Sequence, residues 1–520
     1  MHEPLQAHVV APGVFFADDK FPDVIRCLEA RGWRRHLHAS FPGCRLKWTN
    51  YQRIAWAAGS TQRQTLNHLQ HAVAFSQKEL FARALYELDS RADGPQRVHA
   101  FYPRTFDLRR DADAALLREW ALYCHALAAL KHFVARGAAL SVDKSDAAGA
   151  VVDAAIALLA DVAAAGTAFF SRTTAAGAAP VVIDVAAPQW RALRPGHHGC
   201  GGDKSDCRDD DTQSREERKE RAEQLLQQLA ALDPQFDTVG ADNNRSVWIC
   251  KPSNLSQGRG IRLLTSLDEV LALCTTRGGG GDSDRADAAG ASQPVRGTSD
   301  ASTTAAKWVV QKYVEQPLLS LQGGCKFDIR QWVLVASLAP LRVFWYTQSY
   351  LRFCSQPFSL ERTQLADPFV HLSNFSVQKD APELPSSRGA GDENDENARM
   401  WRSDRFQERL RQEHGRDVWA ETIVPQMQLA TRAAILSTAP KLRAVGHGFE
   451  WLGLDFLLDA SFRPWLLEVN VSPDVSHSTS VTAELVPCAT EDLLELILDG
   501  TASPDNGWLP LACSPSNASS

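Results

Sequence analysis

Two apolar runs divided by a short polar turn, "FEWLGLDFLLDASFRPWLLEVN" at residues 449–470, constrain the fold of this chain more than any other stretch. Runs of this length and spacing predict an antiparallel hairpin. With residues 460–463 as the turn, Asp459 faces Pro464 and Asp455 falls opposite Glu468. Successive side chains on a strand point to opposite faces, so Glu468 and Asn470 point one way and Leu467 and Val469 the other. Such a polar pair at the end of a buried strand is costly unless something uses it. Directly opposed residues have Cβ atoms about 5 Å apart, a distance at which two carboxylates repel. A divalent cation between Asp455 and Glu468 removes that repulsion, and Asn470 adds a third oxygen. Oxygen-only ligands favour Mg2+. An exposed hairpin end bearing two unrelated acids is the other reading of the same spacing.

Two further constellations lie upstream. In "VWICKPSNLSQGRGIRLL" a strand delivers Lys251, a loop carries Gly258 and Gly260, and a second strand follows. Glycines let backbone N–H groups approach phosphates closely. The GK[ST] of a Walker A loop is absent and a strand, not a helix, comes next, so an ordinary hairpin turn stands beside the phosphate reading. "SLDE" after it predicts a capped helix, with Ser266 as the cap and Glu269 in the first turn. In "CKFDIRQWVLV", Lys326, Asp328 and Arg330 share one strand face, while Phe327, Ile329 and Val333 mark the other. That face is either the floor of a polar cleft or a solvated sheet surface.

The surrounding chain has 520 residues, enough for about two to four domains. Apolar residues make up 44% and charged residues 22%, a globular, soluble balance. A net charge of −7 argues against nucleic acid or an anionic membrane as partner, except through a local basic patch. The eleven cysteines are odd in number and form no CxxC pair, and "MHEPLQAHVV" is no signal peptide, so a reducing cytosolic setting is expected. His197, His198, Cys200 and Cys207 are irregularly spaced in a Gly/Asp-rich stretch and are read as loop rather than as a zinc site. The Ala-rich run at 148–170 carries Asp153 and Asp161 and predicts a soluble helix. Residues 214–231 predict a charged helix with leucines on one side. Low-complexity segments at 278–306 and 381–398 read as insertions in surface loops of one domain. The expected organisation is an N-terminal domain at 1–135, a helical and low-complexity connection at 136–240, a catalytic domain at 241–500 and a flexible tail at 501–520.

In chain order the motifs are "KPSNLSQGRGI", "QKYVEQPLL", "KFDIRQW", "HLSN" and "LEVNVSP". Together they resemble the tubulin tyrosine ligase-like family, over about residues 246–487 outside the insertions. "YTQSYLRFCSQPFSL" (346–360), "MWRSDRFQERL" (400–410) and "SPDVSHSTSVTAEL" (472–485) are most similar to its glycylase branch. "LNHLQHAVAFSQKELFARAL" (66–85) and "FYPRTFDL" (101–108) resemble the branch's N-terminal portion more loosely. Gln257 departs from the pattern, since many members carry arginine before this glycine.

The resemblance implies an α/β (α+β) ATP-grasp fold with an additional N-terminal domain and disordered insertions. It also implies ATP-dependent addition of glycine to glutamate side chains in the acidic C-terminal tails of tubulin, through an acyl phosphate. A tubulin polyglutamylase and a non-catalytic microtubule-binding scaffold are the alternatives. By the same resemblance Lys251, Gln257, Gly258 and Lys326 contact ATP, Gln311, Lys312, Tyr313 and Val314 line the adenine, and Asp328 holds nucleotide hydroxyls. Asp455, Glu468 and Asn470 hold Mg2+. Arg330, His371 and Asn374 flank the reacting phosphate, and Arg352 takes the carboxylate of the incoming amino acid. Lys78 is a weaker candidate for a phosphate contact. Free glycine and microtubules are the expected partners. The expected state is a monomer in the cytoplasm, on the cytoskeleton or on a ciliary or flagellar axoneme, without nucleic acid or membrane. For the acidic tail, "WRSDRFQERLRQ" read as a helix places Arg402, Arg405 and Arg409 on one face. A solvated face partly neutralised by Asp404 and Glu408 is the other reading. Gln257 is a second acceptor candidate.

Overall fold

The computed structural model describes residues 12–59, 61–91, 97–136, 146–175, 177, 179–193, 210–241, 246–253, 255–273, 307–381, 399–500 and 502–513. The strands, in chain order, are β1 (Val14–Ala17), β2 (Arg34–Arg35), β3 (Leu46–Trp48), β4 (Thr65–Leu66), β5 (Thr105–Asp107), β6 (Trp248–Pro252), β7 (Arg262–Leu264), β8 (Trp308–Lys312), β9 (Cys325–Leu338), β10 (Leu341–Pro357), β11 (Met400–Arg402), β12 (His447–Gly448), β13 (Glu450–Leu458), β14 (Pro464–Val471) and β15 (Trp508–Pro510). The chain forms two compact units, one made of residues 1–104, 229–240 and 314–520, the other of 105–228 and 241–313. The boundaries expected at 135 and 240 do not coincide with these units. Long-range packing, which composition does not reveal, decides the division.

The first unit holds two sheets. The smaller is parallel, in the order β12-β4-β3-β1-β2. The helix Pro22–Ala30 connects β1 to β2, starts with proline at its first position, and buries Val24, Cys27 and Leu28. The larger sheet runs antiparallel in the order β11-β10-β9-β13-β14, with β15 also on β10. One apolar core serves both sheets. Trp48 lies 5.4 Å from Phe449 and 6.5 Å from Trp451, centroid to centroid. Trp332, Trp508 and the inner face of the helix Ser480–Leu494 complete it. Each such buried large side chain contributes roughly 1.5–3 kcal/mol relative to exposure. The expectation of a wholly flexible tail is corrected here. Trp508 is buried against Tyr346 and Trp451, and Phe344–Tyr346 pair with Trp508–Pro510.

The hairpin register is also corrected in part. Leu458, not Asp459, pairs with Pro464, because the turn begins one residue earlier. Asp459 instead closes the turn, its carboxylate accepting from the backbone of Ser461 and Arg463 and from the Trp465 indole. A bulge between Asp455 and Phe456 offsets that residue, so Asp455 still faces Glu468.

In the second unit the helices Asp111–Arg136 and Asp146–Ala165 pack together. Trp120 and Tyr123 meet Phe169 at 4.5 and 5.4 Å. The Ala-rich run is not one helix. It stops at Gly166, whose φ of 56° suits glycine, before the short helix Thr167–Phe170. Its sheet is antiparallel, in the order β5-β8-β6-β7. Ser266 caps the helix Leu267–Ala272, its hydroxyl accepting from Glu269 N at 3.4 Å. The charged helix spans Asp210–Leu232 and buries Ala222, Leu225 and Leu229.

His197, His198, Cys200 and Cys207, nearly all of the expected loop at 194–213, and the two low-complexity insertions lie outside the described residues. Among the described residues no helix is long and apolar enough to cross a membrane.

Candidate functional site

A row of charged side chains crosses the large sheet of the first unit. Cα register pairs Arg352 with Asp328, Tyr350 and Asp455 with Arg330, and Asp455 with Glu468. The period of two on β9 places Asp328 and Arg330 on one face, and alternation on the neighbouring strands brings the others to them. Both faces of β9 are buried here, so the solvated-sheet reading falls. Arg330 grips Asp455 with Nε to Oδ1 at 2.5 Å and Nη2 to Oδ2 at 3.2 Å. Arg352 grips Asp328 at 2.8 and 2.6 Å, and its Nη2 reaches Asp455 Oδ2 at 2.9 Å. Burial opposes the Asp455 charge, but Arg330 and Arg352 outweigh it and bring the carboxyl down to about 2. Burial likewise opposes the Arg352 charge, and Asp328 and Asp455 more than restore it.

Glu468 and Asn470 lie at the β14 end of this row. Asn470 Nδ2 stands 3.2 Å from Asp455 Oδ2 and 3.4 Å from Glu468 Oε1. Within this row Glu468 is the carboxylate without an ion pair among the described residues. This oxygen donor set suits a hard divalent cation. Among the described residues no group of three or more His, Cys, Asp or Glu side chains is placed for a metal. The set is two carboxylates and an amide. Arg352, expected to hold a substrate carboxylate, is engaged by two carboxylates of the chain itself, and Asp328, expected at nucleotide hydroxyls, is one of them.

Lys326 is buried on β9, and its Nζ donates to the His371 carbonyl at 2.6 Å. His371 is buried in the short helix Pro368–His371, with Nε2 3.1 Å from the Gln364 carbonyl. Burial and then Lys326 hold its imidazole down at about 4, so it is neutral at physiological pH. It can donate a hydrogen bond but brings no charge. Asn374 stands at the N-terminal cap of Phe375–Gln378, half-buried. Val314 packs in the first unit with Leu457 and Trp465.

In the second unit Lys251 Nζ donates to Gln311 Oε1 at 2.7 Å, and Gln311 Nε2 donates to Thr105 Oγ1 at 3.0 Å. Lys312 Nζ donates to the carbonyls of Val247 and Tyr313 at 3.2 and 2.7 Å. Gln311, Lys312 and Tyr313 are all buried. The loop after β6 turns through positive φ at Gln257 (62°), Gly258 (75°) and Gly260 (71°), leaving Gln257 exposed. A non-glycine residue at positive φ carries strain that clusters at ligand-binding loops.

Residues 204–506, more than half of the chain, match the model of the tubulin-tyrosine ligase family. The chain belongs to this family. It is 37% identical over 287 residues to the human protein named tubulin monoglycylase TTLL3, covering 54% of this chain and 32% of that protein. It is 36% identical over 282 residues to human protein monoglycylase TTLL8, covering 53% and 28%. It is 35% identical over 280 residues to Drosophila melanogaster tubulin glycylase 3A, covering 54% and 24%. The matched stretch thus spans about a third of these relatives' length or less.

The segment expected to hold the acceptor departs from the sequence reading. Arg402 ends strand β11, and the helix begins only at Ser403, running to His414, because Met400–Arg402 pair with Tyr350–Arg352. Arg402 pairs with Asp404 and Glu484, Arg409 with Glu413, and Arg405 stacks 4.0 Å over the Trp401 ring. The three do not form one open cationic face. Lys78 opens the helix Lys78–Asp89, half-buried. Sequence reasoning missed Tyr350, the register partner of Arg330, and the buried pair His68–Glu450, whose nitrogen and oxygen lie 2.7 Å apart. An acid opening a strand that is fully buried, as Glu450 does, is the signal that could have found the second.

Proposed function

We propose that this protein is an ATP-dependent ligase that joins glycine to glutamate side chains in the acidic C-terminal tails of tubulin. The observation that carries this reading is the buried Arg352–Asp328 and Arg330–Asp455 row ending at Glu468 and Asn470, in a chain whose matched relatives are named glycylases. A carboxylate is a poor electrophile, because oxide is a poor leaving group. Phosphorylation by ATP converts it to an acyl phosphate that an amine attacks, with phosphate departing. The charge that develops on the transferring phosphoryl group must be neutralised by fixed cations.

The residues divide that work. Lys326 and Arg330 supply buried positive charge, and His371, neutral, and Asn374 supply hydrogen bonds. Lys251, Gln257 and Gly258 serve the ATP phosphates. Gln311, Lys312, Tyr313 and Val314 receive the adenine, largely through backbone groups. Asp328 takes nucleotide hydroxyls, for which it must share Arg352. Arg352 takes the glycine carboxylate. Asp455, Glu468 and Asn470 would hold Mg2+, which would supply neutralising charge for the phosphoryl transfer there. Tail capture is assigned to Gln257 and to the segment carrying Arg402, Arg405 and Arg409. The protein acts as a monomer on cytoskeletal microtubules, including those of cilia or flagella.

The deciding experiment incubates the purified chain with microtubules, Mg2+-ATP and each labelled amino acid in turn. Glycine should be incorporated faster than glutamate. Faster glutamate incorporation makes it a polyglutamylase, and incorporation of neither, with retained microtubule binding, makes it a scaffold.

A further inference from the structure

Glu450, the first residue of β13, is fully buried beside His68. His68 Nδ1 lies 2.7 Å from Glu450 Oε1, and Glu450 Oε2 accepts from Leu69 N at 2.8 Å. The carboxylate on Nδ1 places the imidazole proton there and leaves Nε2 to accept. Its partner is Ser472 Oγ, at 3.2 Å. Ser472 is exposed and follows directly on β14, two residues beyond Asn470. Its φ is 58°, the left-handed region, so the chain leaves the strand there by a turn that serine adopts only under constraint.

Pro473 shows where that turn leads. A Cβ built on Gly453, the register partner of Asn470, would stand 3.0 Å from Pro473 Cβ and 3.1 Å from Arg330 Cδ. Pro473 therefore lies over the sheet beside the arginine that holds Asp455. The other end of the segment is tied as well. His477 Nε2 meets Asp23 Oδ2 at 2.7 Å, and Asp23 is buried in the helix Pro22–Ala30. Residues 472–477 are thus fastened at both ends to side chains from the first 104 residues.

We propose that Glu450, His68 and Ser472 form a positioning relay for the metal end of β14, so that the N-terminal segment sets the place of Asn470 and with it the affinity for a divalent cation. Partners that orient metal ligands from behind commonly change metal affinity 10–100-fold when removed. The proposal rests on the reading of Asp455, Glu468 and Asn470 as the cation ligands. Neither His68 nor Ser472 is among the proposed ligands.

The test uses the full chain without turnover. Mn2+ binding is measured by the electron paramagnetic resonance signal of free Mn2+, with the non-hydrolysable analogue AMPPNP present. Ser472→Ala removes the hydroxyl and keeps the strained backbone. Ser472→Gly removes the hydroxyl and relieves the strain. His68→Asn keeps an amide for Glu450 but does not reach Ser472. The two Ser472 variants, altered at an exposed position, should melt within a few degrees of wild type yet bind Mn2+ about 10-fold more weakly. Their affinity for AMPPNP without divalent cation should be unchanged. His68→Asn, if it folds, should match them. Wild-type Mn2+ affinity in both Ser472 variants overturns the relay. A loss in Ser472→Ala that Ser472→Gly restores also overturns it, by assigning the effect to backbone strain. Absence of Mn2+ binding by wild type refutes the underlying metal reading instead.

Discussion

Arg352 touches two carboxylates, and that geometry sharpens what its replacement should do. Removing one member of a buried, hydrogen-bonded charge group typically costs 3–5 kcal/mol, because the remaining charges lose their compensation. Arg352→Ala should therefore lower stability by about that amount in denaturant titration. It should also raise the glycine KM strongly and the ATP KM little; equal rises would place Arg352 at the phosphate. Glu468 differs, since it has no ion pair among the described residues and is half-buried. Glu468→Gln should abolish ligation and leave the melting temperature near wild type, and wild-type turnover in that variant would remove the metal assignment. His371 gives a pH dependence of known sign. Its folded-state pKa, about 4, lies below the ordinary histidine value of 6.5. The neutral imidazole is favoured by folding, so the stability it contributes is complete above pH 6.5 and lost as pH falls through about 4. His371→Gln should flatten the fall in stability between those two pH values, measured by urea midpoints. An unchanged slope would show that other groups cause it.

At the level of strands, β15 is three residues long but carries Trp508, buried between Tyr346 and Trp451. Trp508→Ala should cost about 3–5 kcal/mol, read as a lower denaturant midpoint. A change below 1 kcal/mol would show that the strand is dispensable. This strand was not legible, because Pro510 inside so short a run as Trp508–Leu511 argues against a strand. By contrast, Asp455 opposite Glu468 was legible, since alternation and a short turn nearly determine a hairpin. The bulge at Asp455 was not, because an inserted residue leaves the apolar pattern on either side intact. The Arg352–Asp328 pair was illegible for a related reason: β10 shifts register against β9 at three places, so counting along the sequence cannot align them. Lys251 and Lys326 were legible as polar positions on apolar strands, but not their buried neutral partners. The strand β11 in place of a longer helix shows tertiary pairing overriding local helical preference. It leaves Arg402, Arg405 and Arg409 each already engaged. The triple alanine variant should still bind microtubules more weakly with a shallower salt dependence, at unchanged ATP affinity; an unaltered salt titration would make the segment a plain charged surface.

Across the whole chain, the first 104 residues and the large sheet share one core rather than lying side by side as beads. A fragment of residues 1–135 should therefore fail to give a cooperative melt, having lost Phe449, Trp451 and the β12 strand from its sheet; a sharp transition in that fragment would restore the idea of an independent N-terminal domain. The two-residue strand β12 carries the consequence furthest. It fills an edge of the N-terminal sheet, His447 and Gly448 aligning with Thr65 and Leu66. Gln70 and Arg443 bridge nearby, each backbone N–H donating to the other's carbonyl. During synthesis, β4 leaves the ribosome some 380 residues before its neighbour exists. At about 5–20 residues per second, its edge and the apolar face around Trp48 wait on the order of tens of seconds for their partners. A nascent chain of this kind is exposed to premature strand pairing throughout that interval. The yield of soluble protein should then depend on translation speed and on chaperones that shield the growing chain, more than on the stability of the finished molecule.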